Sequence, residues 1–170
     1  MVRPTGGVKS RAKSARPARD AERTRAAILA AATAEFARHG LGGARVDRIA
    51  TRAGVNKAMV YYHFASKTAL YRAILTDVFA ALADQVGRAP QARGADHQLR
   101  AFIRAIAAGA AAHPHFPAMW LREIADGGRH IDASVVAPMG AILRTLSHIL
   151  DAGHADGRFR QAHPLVTQMS

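Results

Sequence analysis

Residues 45–64 read RVDRIATRAGVNKAMVYYHF. Val46, Ile49, Ala50 and Ala53 recur at three- and four-residue steps, so they share one face of a helix. Gly54 follows them, and glycine tolerates the left-handed conformation that ends a helix and turns the chain. Val55 is apolar inside the turn and is expected to fill the space between two helices. Asn56 is a good N-cap for a second helix. Val60 and Phe64, four apart, give that helix a buried side and leave Lys57, Met59, Tyr61, Tyr62 and His63 for other faces. Two short helices around a glycine turn form a helix-turn-helix, whose second helix enters the major groove of DNA. The plainer alternative is a helical hairpin inside an all-α core.

Charge favours the first alternative. Residues 1–72 hold 15 Lys and Arg against 4 Asp and Glu, whereas residues 73–170 hold 9 against 8. The formal net charge of +12 therefore sits almost wholly in the half with the helix-turn-helix. A basic half beside a neutral half implies a polyanion-binding module joined to something else. The 170 residues suffice for one domain or two small ones with a proper core. There is no cysteine, which excludes disulfides, thiolate metal sites and thiol catalysis and fits a cytoplasmic location. No apolar run reaches the ~20 residues of a membrane span, so no membrane role is expected. The charged N-terminus lacks the apolar core of a secretory signal.

Outward from the centre the chain reads as all-α. Residues 1–21 form a basic arm, expected to be disordered: Arg3, Lys9, Arg11, Lys13, Arg16 and Arg19 alternate with small residues, and burial cannot offset the entropy of ordering them. Such an arm either follows phosphates or is a solvated tail. A first helix is expected over about residues 20–39, capped by Asp20, with Ile28, Leu29, Ala32 and Phe36 inside and Gly40 at its end. After the helix-turn-helix, Ser66 caps a long helix to about Gly87, with Leu70, Ile74, Val78 and Ala81 on one line and Leu75, Phe79, Leu82 and Val86 beside it. The chain then breaks between Pro90 and Gly94. A fifth helix carries Leu99, Phe102, Ile103, Ile106 and Ala110. A sixth opens with Pro117 at its first position and buries Met119, Trp120 and Ile124, with Arg122 and Glu123 solvated. A seventh starts near Asp132 or Ser134 and carries Val135, Met139, Ile142, Leu143, Leu146, Ile149 and Leu150. Pro138 fits it only in the first turn. Pro164 starts an eighth segment.

Residues 22–82 resemble the N-terminal domain of the tetracycline-repressor (TetR) family of bacterial transcription regulators. The resemblance rests on Ile28, Leu29, Ala31, Ala32, Phe36 and Gly40, then Ile49-Ala50, Ala53-Gly54-Val55, Tyr61, His63-Phe64, Ser66-Lys67 and Leu70. It implies an N-terminal three-helix DNA-binding domain, a long linking helix and a helical regulatory domain over residues 83–170. It implies that Lys57, Ala58, Met59 and Tyr62 face bases and that Tyr61, His63 and Lys67 contact phosphates, with Asn56 beside them at the helix start. Ala44 stands where the family often has a threonine that caps the second helix, and Arg45 is expected to replace that hydroxyl contact by charge. The implied function is a regulator, usually a repressor, released from a palindromic double-stranded operator by a small-molecule effector. The family dimerises through its last two helices. This chain contains at most the start of the first of them, so the regulatory domain is expected to be short or incomplete and the homodimer weak.

Other chemistries have little support. His113-x-His115 has no carboxylate or cysteine nearby to complete a metal site. No phosphate loop, nucleophile elbow or metalloprotease motif occurs, so no catalytic residue, cofactor or metal is assigned. Phe116, Trp120, Glu123 and His148 are the candidates for lining a ligand pocket. The alternatives to an operator-specific regulator are a sequence-independent DNA binder acting by charge and a helical small-molecule enzyme.

Overall fold

The computed structural model describes residues 11–88 and 94–160. Those residues form seven helices and no strand. The outer half of the basic arm, the break beginning at Pro90 and the segment from Pro164 lie outside them. The chain divides into two compact units, Met1–Tyr71 and Arg72–Ser170, with the division inside the fourth helix.

In the first unit, α1 (Arg11–Gly43) begins nine residues before the expected Asp20. Gly40, with φ 65° and ψ 177°, breaks α1 where expected, and a short turn continues to Gly43. Ile28, Ala31, Ala32 and Phe36 are buried. They pack with Val46, Ile49 and Ala50 of α2 (Val46–Ala53) and with Val60 of α3 (Lys57–His63) to form a small core. Phe36 meets the edge of Tyr71 at 5.1 Å between ring centres, which ties in the start of α4 (Lys67–Gly87). Gly54 takes the left-handed conformation at φ 69°, and the N–H of Val55 returns to the carbonyl of Ala50 at 3.0 Å. Ser66 accepts from the N–H of Ala69 at 3.0 Å and caps α4.

In the second unit, Val86 of α4, Phe102 and Ala105 of α5 (Ala95–Ala112) and Ile149 of α7 (Ala133–Ala155) form the centre of a core that Leu99, Ile106, Ile142, Leu146 and Phe159 complete. Ile103 and Ala81, both assigned to apolar stripes, are exposed; on α5 the buried line runs through Phe102, Ala105 and Gly109 and leaves Ile103 outside. At Gly109 a side chain would strike Leu82, so its bare backbone permits the close packing of α4 on α5. On α6 (Phe116–Ala125), Phe116 and Pro117 occupy the first two positions. The steps from Phe116 to Met119 to Glu123 define its buried side. Ile124 is therefore 56% exposed and not inside as expected, while Glu123, read either as a pocket-lining or as a solvated residue, is buried. Asp132 caps α7, accepting from the N–H and hydroxyl of Ser134. That hydroxyl, with Arg72 adding its charge, holds the Asp132 carboxylate below its ordinary range. The contribution of the cap is thus present at neutral pH and lost only as pH falls through that lowered value.

One expectation for α7 changes. Pro138 lies beyond the first turn, and the helix runs through it without the N–H that would have bonded to Ser134. The helix is also long and apolar enough to cross a membrane, with a mean hydropathy of 1.3 in a window of which 11% is buried. Composition alone gives core helices of soluble proteins the same profile. Here Ile142, Leu146 and Ile149 pack in the second-unit core, while Val136 and Leu143 are exposed.

Gly54→Ala is expected to lower stability by about 1–2 kcal/mol in chemical denaturation. A methyl group there would meet nothing within 4 Å, so the loss comes from the left-handed backbone alone. Asn at this position should restore part of it.

Candidate nucleic-acid interface

The turn and the cap decide what α3 displays. Asn56 accepts the N–H of Met59 at 2.9 Å, satisfying a donor that the first helical turn leaves free. With Val60 buried beneath, Lys57, Ala58, Tyr61 and Tyr62 at steps i, i+1, i+4 and i+5 form one exposed stripe. Tyr62 is 79% exposed and Tyr61 43%. Met59 is half-buried at the edge of the stripe. Arg25 of α1 lies over the ring of Phe64, 5.5 Å from its centre, and holds the far end of α3.

The remaining candidates are placed less uniformly. His63 is half-buried and its Nε2 is shielded without a hydrogen-bond partner, so that nitrogen is not presented to a phosphate. The Lys67 ammonium donates to the carbonyls of Gly42 and Ala44 at 3.3 and 3.1 Å. Lys67 therefore straps the α1–α2 loop, with one of its three N–H donors to spare. Arg45, and not Ala44, is the N-cap of α2, and its side chain makes no capping bond. Its backbone N–H instead donates to Oε1 of Glu35 at 3.3 Å.

Glu35 was not visible as a functional position in the sequence. It is 3% exposed, and its carboxylate lies 3.5 Å from Arg48 and 3.8 Å from His39. It forms the floor of an open groove of about 610 Å³ lined by Arg45, Asp47, Arg48, Thr51 and Arg52. The signal for that groove was present: Arg45, Arg48 and Arg52 repeat at steps of three and four, opposite Val46, Ile49 and Ala50. Asp47 binds Lys57 across the two helices, with Oδ1 and Oδ2 at 3.0 and 3.3 Å from the ammonium.

The four pocket candidates lie in the second unit. Phe116 and Trp120 are parallel at 6.4 Å, and both meet the edge of Phe79. Glu123 accepts the backbone N–H of His130 at 2.7 Å and lies 3.0 Å from its Nδ1. His148 is exposed on α7. Among the described residues no group of histidines and carboxylates has the arrangement of a metal site.

A capped reading helix with an exposed polar and aromatic stripe, beside a helix studded with arginine, defines a helix-turn-helix DNA-binding regulator. Residues 28–74 match the family of bacterial regulatory proteins named tetR. The HTH-type transcriptional repressor NicS of Pseudomonas putida is 33% identical over 147 residues, which cover 84% of this chain and 69% of NicS. The HTH-type transcriptional repressor SCO4008 of Streptomyces coelicolor is 52% identical over 58 residues, covering 34% of this chain but only 30% of that protein. The solved structure of the TetR family transcriptional regulator PfmR from Thermus thermophilus matches with a TM-score of 0.68 and 26% identity over 80% of this chain and 75% of PfmR. The chain belongs to the TetR family of bacterial transcriptional regulators.

Asn56→Ala should destabilise the protein by about 1 kcal/mol, whereas Asn56→Ser, which keeps a capping oxygen, should cost far less. Urea unfolding of the three proteins checks this. Equal stability of the Ala and Ser variants would contradict the capping role.

Proposed function

We propose that this protein is an operator-specific repressor that reads double-stranded DNA with α3 and is released by a small-molecule effector. The observation that carries the reading is the exposed stripe of Lys57, Ala58, Tyr61 and Tyr62, fixed from below by Val60 and from its start by Asn56. On and beside such a stripe Lys57, Ala58, Met59 and Tyr62 suit base edges, while Tyr61, at its less exposed end, and Lys67 suit phosphates. A lysine at position 57 suits guanine O6 and N7, and Met59 suits a thymine methyl. One short reading helix covers a single half-site, so a two-fold homodimer on a palindromic operator is part of the reading. The effector would bind the second unit, near the Phe79, Phe116 and Trp120 rings, where Trp120 is an intrinsic reporter. A cytoplasmic location follows from this role.

The basic first half supports a second reading, a protein that binds DNA by charge without regard to sequence. Sequencing the duplexes that the purified protein enriches from a random pool separates the two. Operator recognition predicts a palindromic consensus bound at least ~10³-fold more tightly than random DNA, whereas charge alone predicts no consensus.

Within the first reading, Lys57→Ala and Met59→Ala should change the preferred sequence. Tyr61→Ala and Lys67→Ala should weaken all sequences alike, the lysine variant also flattening the salt dependence by about one unit of slope. Melting curves on the Lys67 variant separate loss of its loop strap from loss of a phosphate contact. An unchanged preference in both the Lys57 and Met59 variants would remove α3 as the reader.

Assembly is tested by sedimentation over a concentration series. The exposed Val136 and Leu143 on α7 are apolar positions at which self-association is expected. Leu143→Glu should shift the equilibrium toward monomer if that face is used. A nanomolar dimer indifferent to the substitution would place the contact elsewhere.

A further inference from the structure

Between Glu35 and Asp77 the chain carries seven Lys and Arg and one acid, Asp47. For a surface that meets phosphates, this acid has the wrong sign. It stands in the first turn of α2, with a side chain 64% exposed, and both its oxygens lie within 3.3 Å of the Lys57 ammonium. An acid near a helix N-terminus is favourable, and an exposed ion pair contributes little to stability. Those two effects account for a small gain in stability. They do not account for the choice of partner, which is the first residue of the reading helix.

The chemistry of lysine supplies the missing reason. Its ammonium is a point charge on a flexible four-carbon stem, so an untethered Lys57 would swing between base edges and the nearest phosphates. A phosphate contact there would add affinity for every sequence and discriminate none. Asp47 limits that freedom in two ways. It holds the ammonium at a fixed place on the α2–α3 face while leaving N–H donors for an acceptor on DNA. Its own negative charge also makes the approach of a phosphate to this spot unfavourable. A guanine edge, with two acceptors and no full charge, is penalised much less.

We propose that Asp47 is a specificity-determining residue that positions Lys57 for base acceptors and suppresses its use as a phosphate contact. This rests on the reading of α3 as the DNA-reading helix. Asp47 acts through Lys57 and touches no base itself.

The test uses the whole chain and the consensus duplex obtained from the random pool, with wild type, Asp47→Asn, Asp47→Glu, Lys57→Met and the Asp47→Asn/Lys57→Met pair. Asp47→Asn should bind random duplex more tightly than wild type, with a steeper salt dependence. It should lose about tenfold in discrimination at one base pair per half-site, which is about 1.4 kcal/mol. Asp47→Glu should recover most of that discrimination. In the Lys57→Met background, Asp47→Asn should leave the preference at that base pair unchanged. If Asp47→Asn instead tightens consensus and random DNA by one common factor, with the profile intact, the residue contributes only charge and the proposal fails. If its effect on preference persists undiminished without Lys57, Asp47 reads DNA directly and the positioning role is wrong. A wild-type protein that enriches no sequence would overturn the reading of α3 itself. A wild type that enriches a consensus left unchanged by Asp47→Asn would overturn only the role of Asp47. Melting temperatures of all five proteins verify folding, and stability losses alone would not move the base preference.

Discussion

The geometry of the helix-turn-helix depends on one buried carboxylate. Gly40 breaks α1, and the next residues, Leu41-Gly42-Gly43, offer almost no side chains with which to fix the path into α2. Glu35 supplies that fixation from below. It accepts the N–H of Arg45, the residue at which α2 begins, and attracts Arg48 one turn further on. Removing a carboxylate from water costs several kcal/mol unless its oxygens are engaged, so a 3%-exposed Glu35 is stable only with α2 at this distance. Lys67 holds the same loop from the other side through the carbonyls of Gly42 and Ala44. A glycine-rich loop that would otherwise be loose is thus fastened by Glu35 of α1 and Lys67 of α4.

This explains what could and could not be read from the chain. The turn at Gly54, the cap at Asn56 and the buried pair Val60 and Phe64 are local devices, each complete within four or five residues, and the structure has all three. Glu35 is different. Its partners lie ten and thirteen residues away across a helix break, and in sequence it is one more acid on a helix. The start of α2, with Arg45 at its N-cap and no side-chain cap, follows the same logic. With no side chain available for the cap, a backbone donor meets a distant carboxylate instead. The roles of Lys67 and His63 came from resemblance, and the structure adds to them a loop strap and a shielded ring nitrogen that no local pattern encodes.

Errors in the second unit have a separate origin. Apolar residues there are abundant enough that several helical faces could be the buried one. On α6 the sequence offers Ile124 for the interior, yet Glu123 occupies it because Phe116 and Met119 set the phase and His130 satisfies the carboxylate. On α5 the small residues Ala105 and Gly109 mark the close face, and the larger Ile103 is left outside. Packing distance, together with hydrophobicity, selects the face where helices cross closely. A reading that ranks residues by apolarity misplaces the interior in such helices, and it also overlooks that α7 is apolar on more than its packed side.

The arrangement of cations bears on how such a surface can favour one sequence. The affinity of a basic protein for any DNA rises with each phosphate it neutralises, and that contribution carries no information. The formal charge of the first half suggests a large contribution of this kind. The structure reduces it, because several of the cations nearest the reading helix are already engaged. Lys57 is held by Asp47, Arg48 lies against Glu35, and Lys67 spends two donors on carbonyls. Drawing them onto phosphates means first loosening contacts that hold the motif together, which offsets part of the gain. The side chains of Tyr61 and Tyr62, uncharged and outward-facing, carry no such cost. On the proposed reading of α3, a surface built this way gives up some affinity for all DNA without weakening contacts to base edges, and the ratio of the two is what a regulator searching a genome requires.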